Sequence, residues 1–201
     1  MLIRRWMTKN PITIEPGRTL AEAKSKMDSG NFRRLPVMEN GQLVGIITDR
    51  DVRQCSGPRE VTRVGEVMST QLITAAPDML LDQVASMFAK HKVGGFPVIE
   101  RGKLVGIITA IDMMRAFGQA LGTTEEGVSR IDLAFTGSSF DLAMIAELVG
   151  LSSGEVLGMG TYDGDGDRKN QTVYIRVRTD DAQRIAGMLN RNNFTVVGIH
   201  Q

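Results

Sequence analysis

The chain has 201 residues, and its 24 Lys and Arg against 23 Asp and Glu leave a formal charge of +1, so no global field draws it to nucleic acid or an acidic membrane. Its length allows two ordinary domains, each with a substantial core. One cysteine, Cys55, excludes an intramolecular disulfide and fits a reducing compartment, while 5% aromatic content with twelve methionines points to adaptable aliphatic cores rather than base-stacking surfaces.

The opening stretch MLIRRWMTKNP has two arginines but no apolar core behind them, and nowhere do about eighteen apolar residues run together. The expectation is a cytoplasmic protein with no signal peptide, no membrane span and no nucleic-acid partner. A short strand, ITI, is ended by Pro16. The helix after it carries Leu20, Ala23 and Met27 on one face, with Thr19 and Glu22 as its cap. Two strands follow in RRLPVMENGQLVGIIT, joined at Asn40 and Gly41, a dipeptide that favours a tight hairpin. The second of them runs into GIITDRD and another short helix.

Sixty-one residues on, the pattern returns without a gap, from Met7/Met68 through Thr13/Thr74, Leu20/Leu81, Pro36/Pro97 and Gly45/Gly106 to Asp51/Asp112. Pro77 ends the second short strand, and Asp78 stands in place to cap a helix formed by Leu81, Val84, Ala85 and Phe88. Arg101 and Gly102 make the second hairpin turn. Each copy therefore reads strand, helix, strand, strand, helix. A copy of about sixty residues buries too little surface alone, so the two are expected to fold as one unit about a pseudo-twofold axis.

Each copy ends on GIITxxD, a strand followed by Thr and a helix, which puts a hydroxyl and unpaired backbone N–H groups at one spot where anions bind. The Asp three residues after the Thr could accept hydrogen bonds from both hydroxyls of a ribose. The same pair also has the spacing of a capping box, in which Thr and Asp satisfy the N–H groups of their own helix and no ligand is involved. Both readings stand on spacing alone.

Two copies of MT/MSxxxIT, a helix, a hydrophobic-Pro-Val strand and GIITxxD resemble a pair of CBS domains, over residues 3 to about 117. The resemblance implies a pair with two clefts between the repeats that bind AMP, ADP, ATP or another adenosyl compound such as S-adenosylmethionine as a regulatory ligand, with no other cofactor. It puts Thr48 and Thr109 on phosphate, Asp51 and Asp112 on ribose, and Thr13 and Thr74 beside the adenine. Arg34, immediately before LeuProVal, takes the place of a phosphate-facing arginine. Repeat one has Arg33, Arg34 and Arg50 where repeat two has Gly94, Gly95 and Ile111, so cations for phosphate come mainly from the first copy. Gly94 and Gly95 read either as close backbone approach to a flat base or as plain flexibility at a strand entry.

Similarity to the repeats is lost after RAFGQALG, and the boundary is placed near Gly122. Beyond it, SRIDLAF, EVLGMGTY, TVYIRVR and FTVVGIH read as strands, with helical stripes at Leu142, Ile145, Ala146 and Val149 and at Ala182, Ile185, Ala186 and Leu189. Asn192 and Asn193 suit a left-handed helix stop. This is the ferredoxin-like βαββαβ order, and residues 129 to 200 are similar to an ACT domain, a module that binds amino acids at a dimer interface. The loop ThrGlySerSerPheAsp departs from that family's pattern, having Gly137 displaced and no proline. Such a sheet covers only one face with its helices, so the chain is expected to be a homodimer through this half.

The Asp-rich run at 163 to 167 has Arg168 and Tyr174 where a calcium loop needs Gly and Glu, and reads as a hairpin tip. His91 and His200 have no local ligand partners, and Cys55 has no paired base. No catalytic or metal residues are assigned. The expected architecture is α+β, with repeats at 1–60 and 61–121, a linker at 122–128 and the ACT-like domain at 129–201. A CBS pair joined to an ACT-like domain is similar in layout to acetoin-utilisation B-type proteins. The expected function is a non-catalytic sensor acting on an unidentified regulated protein; the alternative is a structural dimerisation module with empty clefts.

Overall fold

The structure, a computed structural model, describes residues 1–123, 126–134, 141–163 and 171–200, with the Asp163 side chain excluded. Most of the ThrGlySerSerPheAsp loop, including Gly137, and the Asp-rich tip beyond Asp163 lie outside the described residues. The chain forms two compact units, Met1–Met114 and Arg115–Gln201.

In the first unit, a 3-10 turn at Ile3–Arg5 leads to β1 (Thr8–Lys9), α1 (Leu20–Ser29), β2 (Arg34–Glu39), β3 (Gln42–Thr48) and α2 (Asp49–Gln54). The second copy supplies α3 (Val64–Val67), α4 (Leu81–His91), β4 (Gly95–Glu100), β5 (Lys103–Thr109) and α5 (Ala110–Ala120), which runs on into the second unit. Helix α1 begins with the expected capping box: Thr19 Oγ1 accepts from Glu22 N at 3.2 Å and Glu22 Oε2 accepts from Thr19 N at 2.8 Å. Such a box contributes about 1 kcal/mol. At α4 the expectation fails, because Asp78 is not the cap. The helix starts two residues later than Asp78 could serve, with Leu80 at the N-cap and its N–H held by Gln83 Oε1 at 2.9 Å.

The two hairpins match closely. Asn40 and Gly41 have φ of 49° and 77°, Arg101 and Gly102 have 49° and 76°, and both ladders shift register at the same place, between Val37 and Met38 and between Val98 and Ile99. Positive φ at both central residues is what a type I′ turn requires, so Arg101 is held left-handed by the hairpin rather than by its own preference.

The repeats exchange their opening segments. Strand β1 pairs with β5 of the other copy, and Ser69 bridges Ile46 of β3. Ile3 N donates to Met79 O at 2.9 Å, while Val64 N donates to Arg18 O at 2.8 Å. Val64 joins the core formed by Ile14, Leu20, Ala23, Met27, Leu35, Val37, Ile47 and Val52, all essentially excluded from solvent. Burying a side chain of this size stabilises by about 1.5–3 kcal/mol, so part of the first repeat's core is supplied by its neighbour. The crossing explains a glycine in each GIIT strand: a Cβ at Gly106 would lie 2.6 Å from Met7 Sδ and 2.9 Å from Thr8 O, and one at Gly45 would meet Met68 in the same way.

In the second unit, β6 (Val128–Ala134), α6 (Leu142–Leu151), β7 (Glu155–Asp163), β8 (Gln171–Arg178), α7 (Ala182–Arg191) and β9 (Thr195–His200) form an antiparallel sheet of order β7-β8-β6-β9. Asp141 and Asp181 cap the helices, accepting from Met144 N and Arg184 N at 2.9 Å each, and Asn193 at φ 67° ends α7 as expected. Ile131, Leu133, Ile175 and Val177 pack with Ile145, Val149, Ile185 and Leu189. Alternation along β6 puts Asp132 on the face away from this core, yet it is only 5% exposed. Arg130 donates to both its oxygens, at 2.6 and 3.1 Å, and the Tyr162 hydroxyl donates at 3.0 Å. Burial pushes the Asp132 carboxyl up, but these bonds and the Arg130 charge outweigh it and hold the group below the usual carboxylate range.

Candidate functional site

Strands β2 and β3 pair Arg34 directly with Thr48, the last residue before α2. Thr48 is extended, with φ −119° and ψ 161°, and closes a capping box with Asp51. Asp51 Oδ2 accepts from Thr48 N at 2.8 Å and from the Thr48 hydroxyl at 2.6 Å, while Asp51 N donates to Thr48 Oγ1 at 3.3 Å. All the carboxylate contacts of this box use one oxygen. Asp51 Oδ1 stays outside it, so capping and ligand binding, opposed on spacing alone, are compatible in the fold.

Thr109 and Asp112 repeat the arrangement at the start of α5, with 2.9, 2.6 and 3.4 Å for the corresponding bonds. Here the carboxylate is more deeply set, and Asp112 is only 7% exposed.

A cleft of about 210 Å³ opens beside the first of these pairs. Arg34, Ile46, Thr48 and Asp51 come from the first repeat, and Ser69, Gln71, Leu72, Ile73 and the run Val93 to Pro97 from the second. Four of the residues expected at a binding site, Arg34, Thr48, Asp51 and Gly95, are thus brought together. Thr74 is not among the lining residues: it is exposed and lies just beyond Ile73, which is. The second repeat's opening segment meets the cleft at Ser69 and Gln71–Ile73; two residues past Ile73, Ala75 is bridged to Val98. Thr13 also lies elsewhere, with its carbonyl accepting from Lys26 Nζ at 3.1 Å. Sequence reasoning missed Gln71 through Ile73 as cleft-lining residues, although they fall inside the MSxxxIT motif, since nothing in their residue types marks them.

The two glycines opposite Arg34 have a definite neighbour. Arg34 Nη1 donates to the Gly94 carbonyl, and a Cβ on either Gly94 or Gly95 would overlap the guanidinium. Neither a base nor simple flexibility is needed to account for them; the second repeat is small where the first is large. The Gly94 carbonyl also accepts from Ala110 N, the first residue of α5, at 3.4 Å. Burial lowers the Arg34 pKa from its ordinary value, the neighbouring Arg33 charge lowers it further, and Asp112 opposes both. Arg50 and Ile111, the last of the three cation positions compared from the sequence, are both exposed. Among the described residues no three His, Cys, Asp or Glu cluster as a metal site would require, and no helix is long and apolar enough to cross a membrane.

The family model described as the CBS domain matches twice, at residues 3–56 and 64–119. A CBS domain-containing protein of Bacillus subtilis, YhcV, is 35% identical over 114 residues, covering 55% of this chain and 81% of the relative. Among solved structures, the CBS domain pair of protein MJ0100 in complex with 5′-methylthioadenosine and S-adenosyl-L-methionine is 33% identical, with a TM-score of 0.55 over 59% of this chain and 97% of that one. AcuB from Vibrio cholerae is also 33% identical, with a TM-score of 0.56 over 63% of this chain and 96% of that one. Several inosine-5′-monophosphate dehydrogenases are similar too, but the chain spans less than half of their length. With the model matched twice across more than half of its residues, and with both copies folded as exchanged α+β units, the chain belongs to the CBS domain family and carries a tandem pair.

Proposed function

We propose that this protein is a non-catalytic regulatory protein whose CBS pair binds an adenosyl ligand in the cleft at Thr48 and Asp51. The observation that carries the reading is that this cleft is built from both repeats, with Arg34, Thr48 and Asp51 facing Gln71–Ile73 and Gly95–Pro97. A ligand there bridges the copies. Asp51 accepts from the ribose, the aliphatic residues Leu72, Ile73 and Val93 flank the base, and Thr48 and Arg34 turn to the 5′ substituent. Thr109 and Asp112 form the equivalent half-site of a second cleft, with Thr13 beside the adenine there as Thr74 is in the first. The solved relative with 5′-methylthioadenosine and S-adenosyl-L-methionine supports the chemical class. By differential affinity the ligand selects one arrangement of the repeats, which the rest of the chain passes on.

The second unit, with its β7-β8-β6-β9 order, is taken as a ferredoxin-like, ACT-like domain over residues 129–201, joined through 122–128 to repeats at 1–60 and 61–121. It serves homodimerisation or amino-acid sensing in a cytoplasmic protein, in the layout of acetoin-utilisation B-type proteins. The complete capping boxes favour one other reading, a structural module with empty clefts.

A thermal-shift panel of AMP, ADP, ATP, 5′-methylthioadenosine, S-adenosylmethionine and amino acids tests both. A ligand at about a hundred times its Kd adds about 2.7 kcal/mol, or roughly 5 to 10 °C for a chain of this size. No shift with any adenosyl compound at millimolar concentration would leave the structural module standing. A monomer by light scattering would remove the dimer.

A further inference from the structure

The cleft holds one half-buried cation, Arg34, and that cation is already engaged. Arg34 projects from β2 beside Thr48 and crosses to the other repeat, where it binds the Gly94 carbonyl and fills the space left by Gly94 and Gly95. At about 210 Å³ the cleft is smaller than the roughly 300–1,000 Å³ of most ligand sites, and the guanidinium lies in the part nearest the carbonyl. Gly95 replaces a second arginine in the other copy, so the pair has one such side chain for two half-sites.

Resting on the adenosyl reading above, we propose that Arg34 is a charge-sorting latch: an adenosyl ligand with an anionic 5′ group draws the guanidinium off the Gly94 carbonyl and into a charge-assisted bond, whereas a neutral or cationic ligand has to compete with it for the cleft. Two physical facts give this its direction. A guanidinium bonded to a neutral carbonyl exchanges that bond for a stronger one when a phosphate comes within reach. A thioether offers no such exchange, and a sulfonium adds repulsion in a half-buried site already bordered by Arg33. The favoured ligand class is therefore a 5′-phosphorylated adenosine, and the carbonyl it releases is the one that also receives the first N–H of α5, that of Ala110, between Thr109 and Asp112 in the chain.

The latch has a signature that a plain phosphate contact lacks. Replacing Arg34 should move the two ligand classes in opposite directions. Isothermal titration of the full chain with AMP and with 5′-methylthioadenosine is the test, using wild type, Arg34→Ala and Arg34→Lys. Wild type is expected to bind AMP at least tenfold more tightly. Arg34→Ala should lose roughly ten- to a hundredfold in AMP affinity while gaining severalfold for 5′-methylthioadenosine, and Arg34→Lys should keep a preference for AMP. If the alanine variant is too unstable to titrate, the AMP preference of wild type should still fall as salt is raised, because it is electrostatic. Equal wild-type affinities, or 5′-methylthioadenosine binding that is unchanged or weaker in Arg34→Ala, would overturn the latch and leave the adenosyl site intact. Wild type binding neither compound would overturn both.

Discussion

The two repeats share a backbone plan and differ at the residue before the LeuProVal or PheProVal strand, where one carries Arg34 and the other Gly95. A duplicated module whose halves meet about a pseudo-twofold axis brings equivalent positions face to face, and two arginines would then compete for one space. The fold solves this with one large and one small residue. For the proposed function, this makes two half-sites with the same Thr and Asp geometry chemically unequal. One has a cation across its mouth; the other has a carboxylate, Asp112, only 7% exposed, whose charge that same cation feels. Identity of motif therefore does not imply identity of ligand preference.

The asymmetry between the repeats is lost most completely if the small member is enlarged. Gly95→Arg puts a Cβ 3.0 Å from Ile108 O and into the Arg34 guanidinium, and adds a like charge beside it. Overpacking and repulsion together should cost about 3 kcal/mol, read as a lower midpoint in urea. The double substitution Arg34→Gly with Gly95→Arg should recover most of this loss and transfer the preference for phosphate to the Thr109 and Asp112 half-site. A double variant no more stable than Gly95→Arg would mean that the two positions do not share one space.

A smaller effect separates the carboxylates. Asn keeps an oxygen for the capping box, so Asp51→Asn should cost no more than about 1 kcal/mol of stability. Under the proposed ribose role its charge is lost as well, and AMP binding should weaken roughly ten- to a hundredfold. Asp112→Asn should leave that cleft within a fewfold of wild type and affect a different class of ligand. Calorimetric titration of both variants with AMP and ATP checks this; wild-type affinity in Asp51→Asn would remove its ribose role, and equal losses in both would remove only the asymmetry.

The smallest expected difference is in acid. Asp49 opens α2, where the second copy has Ala110. A hydrogen bond from Lys24 holds the Asp49 carboxyl below its ordinary range, burial opposes it, and Arg53 adds to the lowering. Ion pairs run to Lys24 Nζ at 3.2 Å and Arg53 Nε at 3.0 Å. Because the folded pKa is the lower one, the contribution is present above the unfolded value of about 4 and is lost as pH falls through the folded value. Wild type should therefore lose slightly more thermal stability than Asp49→Ala between neutral pH and about pH 3. Parallel curves would show that the pair contributes nothing measurable, as many exposed pairs do.

Much of this was legible in the residues. The sixty-one-residue offset, the Asn40–Gly41 turn, the Thr19–Glu22 cap and the stripe at Leu20, Ala23 and Met27 are local signals, and local structure follows them. Thr48 and Asp51 were visible as a pair for the same reason, since three residues of helix bring them together whatever the rest of the chain does. Asp78 misled because a good cap residue acts only if the helix begins beside it, and the hydrogen bond from Leu81 N to Met1 O, together with the Gln83 cap, places the start later.

The duplication, the two hairpins, the capped Thr and Asp pairs and the βαββαβ order of the second unit follow from local sequence, because each depends on periodicity or on contacts within a few residues. Tertiary structure alone decided the rest. The exchange of opening segments, the facing of Gln71–Ile73 onto the cleft, the bond from the Tyr162 hydroxyl to Asp132, and the reach of Arg34 to Gly94 all join residues far apart in the chain. A contact across sixty residues leaves no period to read. It exists only once both repeats are folded against each other.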